Sequence, residues 1–265
     1  MFVAKKSLGQ NFLMHPQIAE KIVREAQVPE GTTVLEIGPG TGMLTRVLLH
    51  AGYRVVAVET DRELVTGLQD TFADAITNGA LTLVHDDIRT FDLAALPERY
   101  ALIANIPYYI TGEIMRMFLT ATHKPTSMTL LVQKEVAERI AHTVEGKRGV
   151  KESLLSLSVK VFGTPRYCFT VPKGAFKPVP KVDSAVISIQ DIRRDAFANP
   201  AAEQAFFDLI RAGFAHKRKL LAGNLALSYG AERVKEAFQA SSIPDKARSE
   251  DLSLADWQKL AQALS

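Results

Sequence analysis

Three glycines spaced two residues apart are the first residues of this chain whose spacing has a clear chemical use. Gly38, Gly40 and Gly42 follow the apolar run 34–37, and a helical pattern begins directly after them. Glycine tolerates positive φ and has no Cβ, so such a loop lets the backbone pass close to a bound molecule. Glu59 ends the next apolar run, where doubly wound folds place a carboxylate that accepts hydrogen bonds from ribose hydroxyls. These features predict a nucleoside-binding crevice.

The glycine spacing also bears on which nucleoside binds. Dinucleotide-binding proteins use G-x-G-x-x-G, whose third glycine lets the helix pack on the strand. Here the spacing is G-x-G-x-G, and Met43 and Leu44 stand where that pattern has its last glycine. A loop of the form E-x-G-x-G-x-G with an acidic residue closing the next strand resembles S-adenosylmethionine-dependent methyltransferases. The resemblance implies S-adenosyl-L-methionine as the cofactor, with NAD or a tight turn without a ligand as the alternatives.

A second group, Asn105-Ile106-Pro107-Tyr108, follows the apolar run 100–104. Its residue types suit methylation of adenine N6, a poor nucleophile that must be taken out of its base stack to react. The Asn105 side-chain oxygen and the Ile106 carbonyl can accept the two N6 hydrogens, which favours the tetrahedral nitrogen of the transition state. Pro107 fixes the loop, and Tyr108 offers a face for stacking. The alternative is a strand-end turn with a capping Asn and a core Tyr.

The stretch from Phe176 to Val186 contains three features that suit a nucleic acid near the same edge of the sheet. Its prolines stiffen a loop that carries the aromatic Phe176 and the cations Lys177 and Lys181. We expect Phe176 to form a second stacking face and the lysines to contact phosphates. A purely structural proline-rich turn is the alternative.

Four basic or potentially basic residues, His216-Lys217-Arg218-Lys219, precede the apolar run that begins at Leu220. We predict that they open a helix. Cations at the N-terminal end of a helix interact unfavourably with the helix dipole. A bound RNA phosphate would compensate for this, and we therefore expect Lys217, Arg218 and Lys219 to contact RNA. A solvated cluster is the alternative.

No metal site is predicted. His85-Asp86-Asp87 has no companion cluster with ligand spacing, and Asp87 better fits an acceptor for the adenine amino group of the cofactor. The single cysteine, Cys168, excludes an internal disulfide and a cysteine-rich zinc site.

Alternating strand and helix patterns must position these residues. The pattern predicts βαβ units, a parallel sheet with both faces covered, and ligands at the rim formed by the strand ends. Helix patterns begin at Pro16 and recur through the first half. The predicted strands are 33–37, 54–58, 81–85, 100–104 and 127–133, and the predicted helices between them are 42–51, 61–71 and 111–121.

The pattern changes beyond residue 134. We predict a helix at 134–142, strands at about 154–162, 167–171 and 184–190 that extend the sheet as an antiparallel edge, and four short helices after about residue 196. The predicted fold class is α/β, a Rossmann-like sheet with a small all-helical C-terminal domain. The predicted domains are residues 1–192 and 196–265.

Composition limits the class of protein. The chain has 265 residues, 47% of them hydrophobic and 23% charged, which is typical of a globular protein. The start lacks an apolar signal core and no apolar run is long enough to span a bilayer, so we expect a cytoplasmic protein without a membrane partner. The formal net charge is +3, and the excess of basic residues lies beyond residue 100, which favours a polyanion partner there.

The motifs taken in order resemble the ribosomal RNA adenine N6,N6-dimethyltransferases from about residue 5 to the end. They comprise Gln10-Asn11-Phe12-Leu13, the glycine loop, Asn105-Ile106-Pro107-Tyr108, the stretch 132–139, the Phe176–Val186 loop and the ending 248–253. The match favours the small-subunit enzyme, which dimethylates two adjacent adenines in a hairpin near the 3′ end of 16S rRNA. The resemblance implies a methyltransferase domain in residues 1–192 and a monomer that acts on the small subunit or its precursor.

The resemblance also implies roles for individual residues. Asn105 to Tyr108 match the catalytic motif, and Phe176 matches the second aromatic residue around the target base. The positions that contact S-adenosylmethionine are matched by Asn11, Leu13, Gly38, Glu59, Asp87 and Asn105, and Gly40 lies in the same loop. One departure from many relatives, at residues 149–153, leaves open which local contacts are made to rRNA.

Two other functions remain as alternatives. One is an adenine N6 methyltransferase of large-subunit rRNA, as in macrolide-resistance enzymes, against which the complete helical C-terminal domain argues. The other is a ribosome-assembly factor that acts mainly by binding, against which the intact Asn105–Tyr108 motif argues.

Overall fold

The structure, a computed structural model, describes residues 5, 9–141, 151–216 and 218–264. The strands found there are β1 (Phe12–Leu13), β2 (Thr33–Ile37), β3 (Arg54–Glu59), β4 (Leu81–His85), β5 (Tyr100–Asn105), β6 (Ser127–Gln133), β7 (Thr164–Val171), β8 (Phe176–Lys177) and β9 (Ser184–Gln190). The helices found there are α1 (Pro16–Ala26), α2 (Met43–His50), α3 (Arg62–Thr71), α4 (Ala73–Thr77), α5 (Thr111–Thr120), α6 (Lys134–Ala141), α7 (Leu154–Lys160), α8 (Pro200–Gly213), α9 (Leu221–Tyr229), α10 (Ala231–Ala240) and α11 (Leu254–Ala263).

One sheet has the strand order β4-β3-β2-β5-β6-β9-β7. The strands from β4 to β6 pair in parallel, and β9 pairs antiparallel with both β6 and β7. The predicted α/β sheet with an antiparallel edge is therefore confirmed. The chain runs outward from β2 through β3 and β4 and then returns to β5 on the other side of β2. Sheets of this kind bind ligands beyond the carboxyl ends of the strands at such a reversal.

The central strands are buried because helices cover both faces of a parallel sheet. All residues of 100–104 and 127–132 are buried. On one side, α1 begins at Pro16, whose missing amide hydrogen costs nothing at a first helical position. It buries Ala19, Ile22, Val23 and Ala26. None of the helices in the described ranges is long and apolar enough to cross a membrane.

The predicted strand at 154–162 is wrong, because α7 occupies these residues. Ser153 accepts a hydrogen bond from the amide of Ser156 (3.1 Å), and the Ser156 hydroxyl accepts one from the amide of Ser153 (2.7 Å). This capping box satisfies two amides that a helix start leaves unpaired. The alternation of leucine and serine in this stretch resembles a half-buried strand, and the local cap overrides it.

The chain divides into two compact units. The first comprises Met1–Glu138 and Thr164–Ile192, and the second comprises Arg139–Gly163 and Arg193–Ser265. The predicted domains, 1–192 and 196–265, differ from these units because they placed 139–163 in the first. Within the second unit, the Glu152 amide donates to the Glu250 carbonyl (2.8 Å) and Lys151 pairs with Glu250. These bonds tie the segment before α7 to the C-terminal helices, and no strand occurs in the described residues of this unit.

A two-residue pairing joins the N-terminal segment to the proline-rich loop inside the first unit. Leu13 of β1 is opposite Phe176 of β8, and Phe12 is opposite Lys177. No local pattern predicts this pairing, because the segment around residues 5–13 is polar and interrupted by glycine. The pairing brings Asn11 and its neighbours to the edge where β2 and β5 end.

Candidate functional site

One cleft lies at the carboxyl ends of β2, β3, β4 and β5 in the first unit. The structure brings all the predicted cofactor-binding residues to its lining, namely Asn11, Leu13, Gly38, Gly40, Glu59, Asp87 and Asn105. They come from positions up to 94 residues apart, which the parallel strands and the pairing of β1 with β8 bring together. Their contact with a cofactor stays a prediction.

The glycine loop forms the floor of this cleft. Gly38 has a φ of 61°, and an added Cβ there would meet no atom within 4 Å. The space next to its Cα is therefore open. Gly40 has a φ of 60°, and an added Cβ would lie 2.9 Å from the Phe12 ring. One glycine thus leaves room for a ligand, and the other leaves room for the N-terminal segment that packs beside it.

Glu59 stands at the end of β3 and is held by backbone amides. Its Oε2 accepts from the amide of Gly40 (3.1 Å) and its Oε1 from the amide of Asp61 (3.0 Å). The side chain is buried, and burial raises its pKa although both amides oppose the rise. A carboxylate oxygen has two lone pairs, so each oxygen keeps an acceptor site for ribose hydroxyls.

A polar network beside Glu59 fixes the N-terminal segment, and sequence reasoning missed it. Asp61 caps α3 by accepting from the amide of Glu63 (3.1 Å), and it also accepts from Lys5 Nζ (2.7 Å) and Gln10 Nε2 (3.1 Å). The Lys5 ammonium holds the pKa of Asp61 below its usual range against the effect of burial. Lys5 and Gln10 are more than 50 residues from Asp61, so no local signal could identify the contact.

Glu36 is a further lining residue to which the sequence analysis gave no role. It is 1% exposed, and its Oε2 has no hydrogen-bond partner within the described chain. Burial raises its pKa to about 8, the Glu59 carboxylate adds to the rise, and Thr45 opposes it. An unpaired buried carboxyl oxygen in a cleft suits a ligand that brings a donor, above all a cationic one.

Asp87 follows β4 and is paired with Arg89. The guanidinium contacts both carboxylate oxygens, with Nε to Oδ1 at 2.9 Å and a close contact from Nη2 to Oδ2. This pairing holds the pKa of Asp87 below its usual range. Asp87 therefore enters the cleft as a carboxylate, with acceptor sites beyond those that Arg89 uses. Arg89 was not predicted as a site residue, although a basic residue two positions after an acidic one indicates that the two can form an ion pair.

Asn105 ends β5 with its amide group oriented by the N-terminal segment. Its Nδ2 donates to the Asn11 carbonyl (3.1 Å). A carbonyl only accepts, so the NH2 end of the amide must face it, and Oδ1 is left at the opposite end as an acceptor. Asn105 Oδ1 is therefore available to accept a hydrogen bond from the N6 amino group of an adenine.

Tyr108 follows Pro107 and begins a short 3-10 turn that ends at Ile110. Its hydroxyl and the Ser184 hydroxyl share a hydrogen bond of 2.5 Å. Tyr108 is half-buried, and burial raises its pKa. Tyr109 beside it is 65% exposed, and Ile106 is buried.

The residues predicted to contact the substrate have different positions. Phe176 is 2% exposed in the hydrophobic core, so a base would stack on its ring only after the ring left this packing. Lys177 and Lys181 are exposed in the loop that follows it. Their contacts with RNA stay predictions.

The basic cluster lies in the second unit. Arg218 and Lys219 are exposed, and Lys217 lies outside the described residues. The prediction that the cluster opens a helix is wrong, because α9 begins at Leu221 and its first amide donates to the Ala247 carbonyl (2.9 Å). His216, Arg218 and Lys219 precede the helix, and the amide of Lys219 donates to the carbonyl of His216 (3.1 Å).

The part of the chain that the structure describes holds no group of three or more His, Cys, Asp or Glu side chains that could bind a metal ion. Of the stretch 149–153, residues 149 and 150 lie outside the described residues.

Comparison with known proteins gives one consistent result. The family model described as "Ribosomal RNA adenine dimethylase" matches residues 1–265. The chain is 39% identical over 266 residues to ribosomal RNA small subunit methyltransferase A of Dehalococcoides mccartyi, covering 97% of this chain and 87% of that protein. It is 40% identical over 280 residues to the protein of the same name in Enterococcus faecalis, covering 99% and 91%.

Solved structures confirm the predicted fold class, a Rossmann-like methyltransferase sheet with a helical C-terminal region. The crystal structure of the 23S rRNA methyltransferase ErmE superposes with a TM-score of 0.75 at 27% identity, covering 96% of this chain and 99% of that one. A dimethyladenosine transferase from Plasmodium falciparum gives a TM-score of 0.74 at 24% identity, covering 94% and 95%. At that identity the second likeness shows the fold alone.

Proposed function

Because the chain belongs to the ribosomal RNA adenine dimethylase family, we propose that it transfers methyl groups from S-adenosyl-L-methionine to the N6 atoms of two adjacent adenines in a hairpin near the 3′ end of 16S rRNA. The enzyme class, an rRNA adenine N6,N6-dimethyltransferase, follows from this membership. Within the molecule, the proposal is carried by the Asn105 amide, whose bond to the Asn11 carbonyl leaves Oδ1 to accept from N6.

The cleft fits S-adenosyl-L-methionine on two observations of its own residues. The unpaired Oε2 of Glu36 suits the ammonium of a methionine moiety, and Glu59 keeps acceptor sites for ribose hydroxyls. Asn11, Leu13, Gly38, Gly40 and Asp87 complete the proposed contacts. When bound, the cofactor supplies the electrophilic sulfonium methyl group.

The catalytic residues are proposed to act on the adenine. In the first transfer, Asn105 Oδ1 and the Ile106 carbonyl accept the two N6 hydrogens, and this stabilises the nitrogen as it becomes tetrahedral. N6 loses one proton to water with each methyl group that it gains, so one hydrogen is left to be accepted in the second transfer. Pro107 fixes the loop and Tyr108 stacks on the base. Phe176 provides a second aromatic face after its ring, which is 2% exposed, leaves the core packing. Positioning of the amine in line with the methyl group supplies most of the remaining acceleration, and no strong general base is required.

The substrate is proposed from the curated relatives, whose names specify the small subunit. The partner is 16S rRNA in the small subunit or its precursor, which implies a role in small-subunit biogenesis. Residues 1–192 are the proposed catalytic domain, and the RNA phosphates are assigned to Lys177, Lys181, Lys217, Arg218 and Lys219. We further propose that the protein acts as a monomer in the cytoplasm.

The second candidate is methylation of an adenine in large-subunit rRNA. It is favoured by the structural likeness to a 23S rRNA methyltransferase, which extends over nearly the whole chain. The sequence is more similar to the small-subunit enzymes than to this one, and for that reason we place it second. A factor that acts mainly by binding the ribosome is the third candidate function, because no feature of the cleft favours it.

Mapping of N6,N6-dimethyladenine in rRNA from cells with and without the gene tests the proposal. We expect two adjacent dimethyladenines near the 3′ end of 16S rRNA to be lost with the gene and restored by the wild-type chain but not by Asn105→Ala. A change confined to 23S rRNA would establish the second candidate. An assembly defect that Asn105→Ala fully rescues would establish the third.

A further inference from the structure

The hydrogen bond between Tyr108 and Ser184 links the catalytic motif to a distant strand. The two residues are 76 positions apart, and their hydroxyl oxygens are 2.5 Å apart. Ser184 is the first residue of β9 and is 0% exposed, so its hydroxyl has no access to bulk water. A buried hydroxyl of this kind normally has a fixed partner, and here the partner is the tyrosine at the cleft.

The backbone around Ser184 is held on both sides. β9 lies between β6 and β7, and Ser184 is opposite Gln133 on one and Val171 on the other. Asp183, just before it, accepts from the amide of Lys173 through Oδ1 (2.9 Å) and from the amide of Lys134 through its carbonyl (3.1 Å). Ser184 therefore offers its hydroxyl from a rigid position, as a positioning group requires.

Tyr108 is constrained at its two ends by different parts of the chain. Pro107 restricts the backbone that precedes it, and Ser184 holds the hydroxyl at the far end of the side chain. Between these points the ring has two rotatable torsions. With the hydroxyl held, the first torsion and the direction of the ring's long axis are defined before any base arrives. A stacking ring that is already in position loses less freedom on binding.

We propose that Ser184 is a positioning residue for adenine methylation, which holds the Tyr108 ring in the place where the target base stacks. The inference rests on the proposed function, because it requires that an adenine enters the cleft beside Asn105. Ser184 does not line the cleft, so it acts on the base only through Tyr108.

A second buried serine on the same strand provides a matched control. Ser188 is also 0% exposed, and its hydroxyl accepts from Gln190 Nε2 (2.6 Å) and from the Thr129 hydroxyl (3.4 Å). It has no bond to the catalytic motif among the described contacts. Ser184→Ala and Ser188→Ala each remove one buried hydroxyl from β9, and we expect similar losses of thermal stability from both.

The experiment measures single-turnover methyl transfer to small ribosomal subunits that lack the modification, at saturating concentrations of cofactor and enzyme. Ser184→Ala should slow the transfer roughly tenfold, the scale of one lost hydrogen bond, while Ser188→Ala keeps the wild-type rate. Tyr108→Phe should be slowed by the same factor, because it breaks the same bond and keeps the ring. Affinity for S-adenosylhomocysteine should be unchanged in all three variants.

The double variant Tyr108→Phe/Ser184→Ala decides whether the two residues act through one bond. It should be as slow as either single variant, because a bond can be lost only once. Two independent effects would multiply to roughly a hundredfold and would overturn the proposal. A wild-type rate for Ser184→Ala would also overturn it, as would an equal loss of rate in Ser188→Ala.

A measurement without substrate separates this inference from the proposed function. In the wild-type protein, NMR should show a hydroxyl proton of this bond, on Tyr108 or on Ser184, that is protected from exchange. Both Tyr108→Phe and Ser184→Ala should remove the protected proton, and Ser188→Ala should keep it. If the wild-type protein did not methylate adenine, the proposed function would be wrong and the positioning role with it, whatever NMR shows of the bond. Absence of the protected proton from the wild-type protein would contradict the positioning role alone.

Discussion

The two walls of the cleft are held in place in different ways. On the glycine-loop wall, Glu59 is fixed by the amides of Asp61, two residues away, and Gly40, 19 residues away. On the opposite wall, Asn105 is oriented by the Asn11 carbonyl, 94 residues away, and Tyr108 by Ser184, 76 residues away. The first wall is built within one βαβ unit, and the second depends on contacts between distant parts of the chain.

This difference separates two tasks. A nucleoside is bound by a loop and a strand end that form together, so this wall is present wherever the βαβ unit folds. The chemical step needs a hydrogen-bond acceptor and a stacking ring in defined positions. Hydrogen bonds between residues that are distant in the chain hold both of them there. Damage to the first wall should therefore reduce affinity for the cofactor, and damage to the second should reduce the rate of transfer.

The largest expected effect is that of Asn105→Ala on the second wall. Removing one well-aimed polar group should slow methyl transfer on the order of 10²-fold or more, with the fold unchanged. Single-turnover kinetics measure the rate, and calorimetric titration with S-adenosylhomocysteine measures cofactor binding. Asn78→Ala is the control, because the Asn78 side chain bonds only to the nearby Ala80 amide in an exposed turn. A loss of cofactor affinity as large as the loss of rate would abolish the distinction between the walls.

Glu59→Ala tests the first wall and should have the next largest effect. The ribose hydroxyls donate hydrogen bonds to the charged carboxylate, and losing these bonds costs roughly 1.5–3 kcal/mol. Affinity for S-adenosylhomocysteine should therefore fall at least about tenfold. The melting temperature should also fall, because the Gly40 and Asp61 amides lose their acceptor. Asp70→Ala, at an exposed position on α3, is the matched control. Unchanged affinity in Glu59→Ala would remove Glu59 from the cofactor site.

The basic cluster belongs to neither wall, and its removal should leave both intact. Replacing Lys217, Arg218 and Lys219 together by Ala should weaken binding to small-subunit particles. The slope of log affinity against log salt should become less steep by roughly two units if the three cations contact phosphates. Affinity for S-adenosylhomocysteine should not change.

The double variant Lys177→Ala/Lys181→Ala removes the two cations of the proline-rich loop. It is compared with the triple variant of the basic cluster in the same binding measurement. Equal salt slopes for the triple variant and its parent would mean that the cluster is only solvated and that RNA lies elsewhere.

The last prediction concerns Glu36→Gln, which should change how the free energy of unfolding depends on pH. The carboxyl has a pKa of about 8 in the folded protein against 4.5 in the unfolded chain, so the folded state binds more protons between these values. Stability from this group is therefore greatest below pH 4.5 and decreases as pH rises to about 8. The decrease is on the order of 1 kcal/mol per pH unit.

Denaturant unfolding of both proteins at several pH values between 5 and 8 checks this. The free energy of unfolding of Glu36→Gln, relative to wild type, should rise with pH because the glutamine does not titrate. Parallel pH profiles would show that Glu36 is ionised in the folded protein.

Much of the fold followed from local patterns. Apolar runs ending in glycine or polar residues predicted the strands from β2 to β6, and Pro16 marked the start of α1. These signals lie within a few residues of what they determine, because capping and periodicity are local. Where two local signals disagreed, as at Ser153–Lys160, the capping box prevailed and the predicted strand was wrong.

The sequence by itself determined which residues at the strand ends reach the cleft, since the ends of parallel strands meet at one edge whatever else packs around them. It did not determine how they are held there. The pairing of β1 with β8, the bond from Asn105 to Asn11, the bond from Tyr108 to Ser184, and the burial of Phe176 all join segments that are distant in the chain. Such contacts leave no periodic mark in the sequence, because they are selected by the three-dimensional packing of whole elements. Only the tertiary structure could therefore decide them.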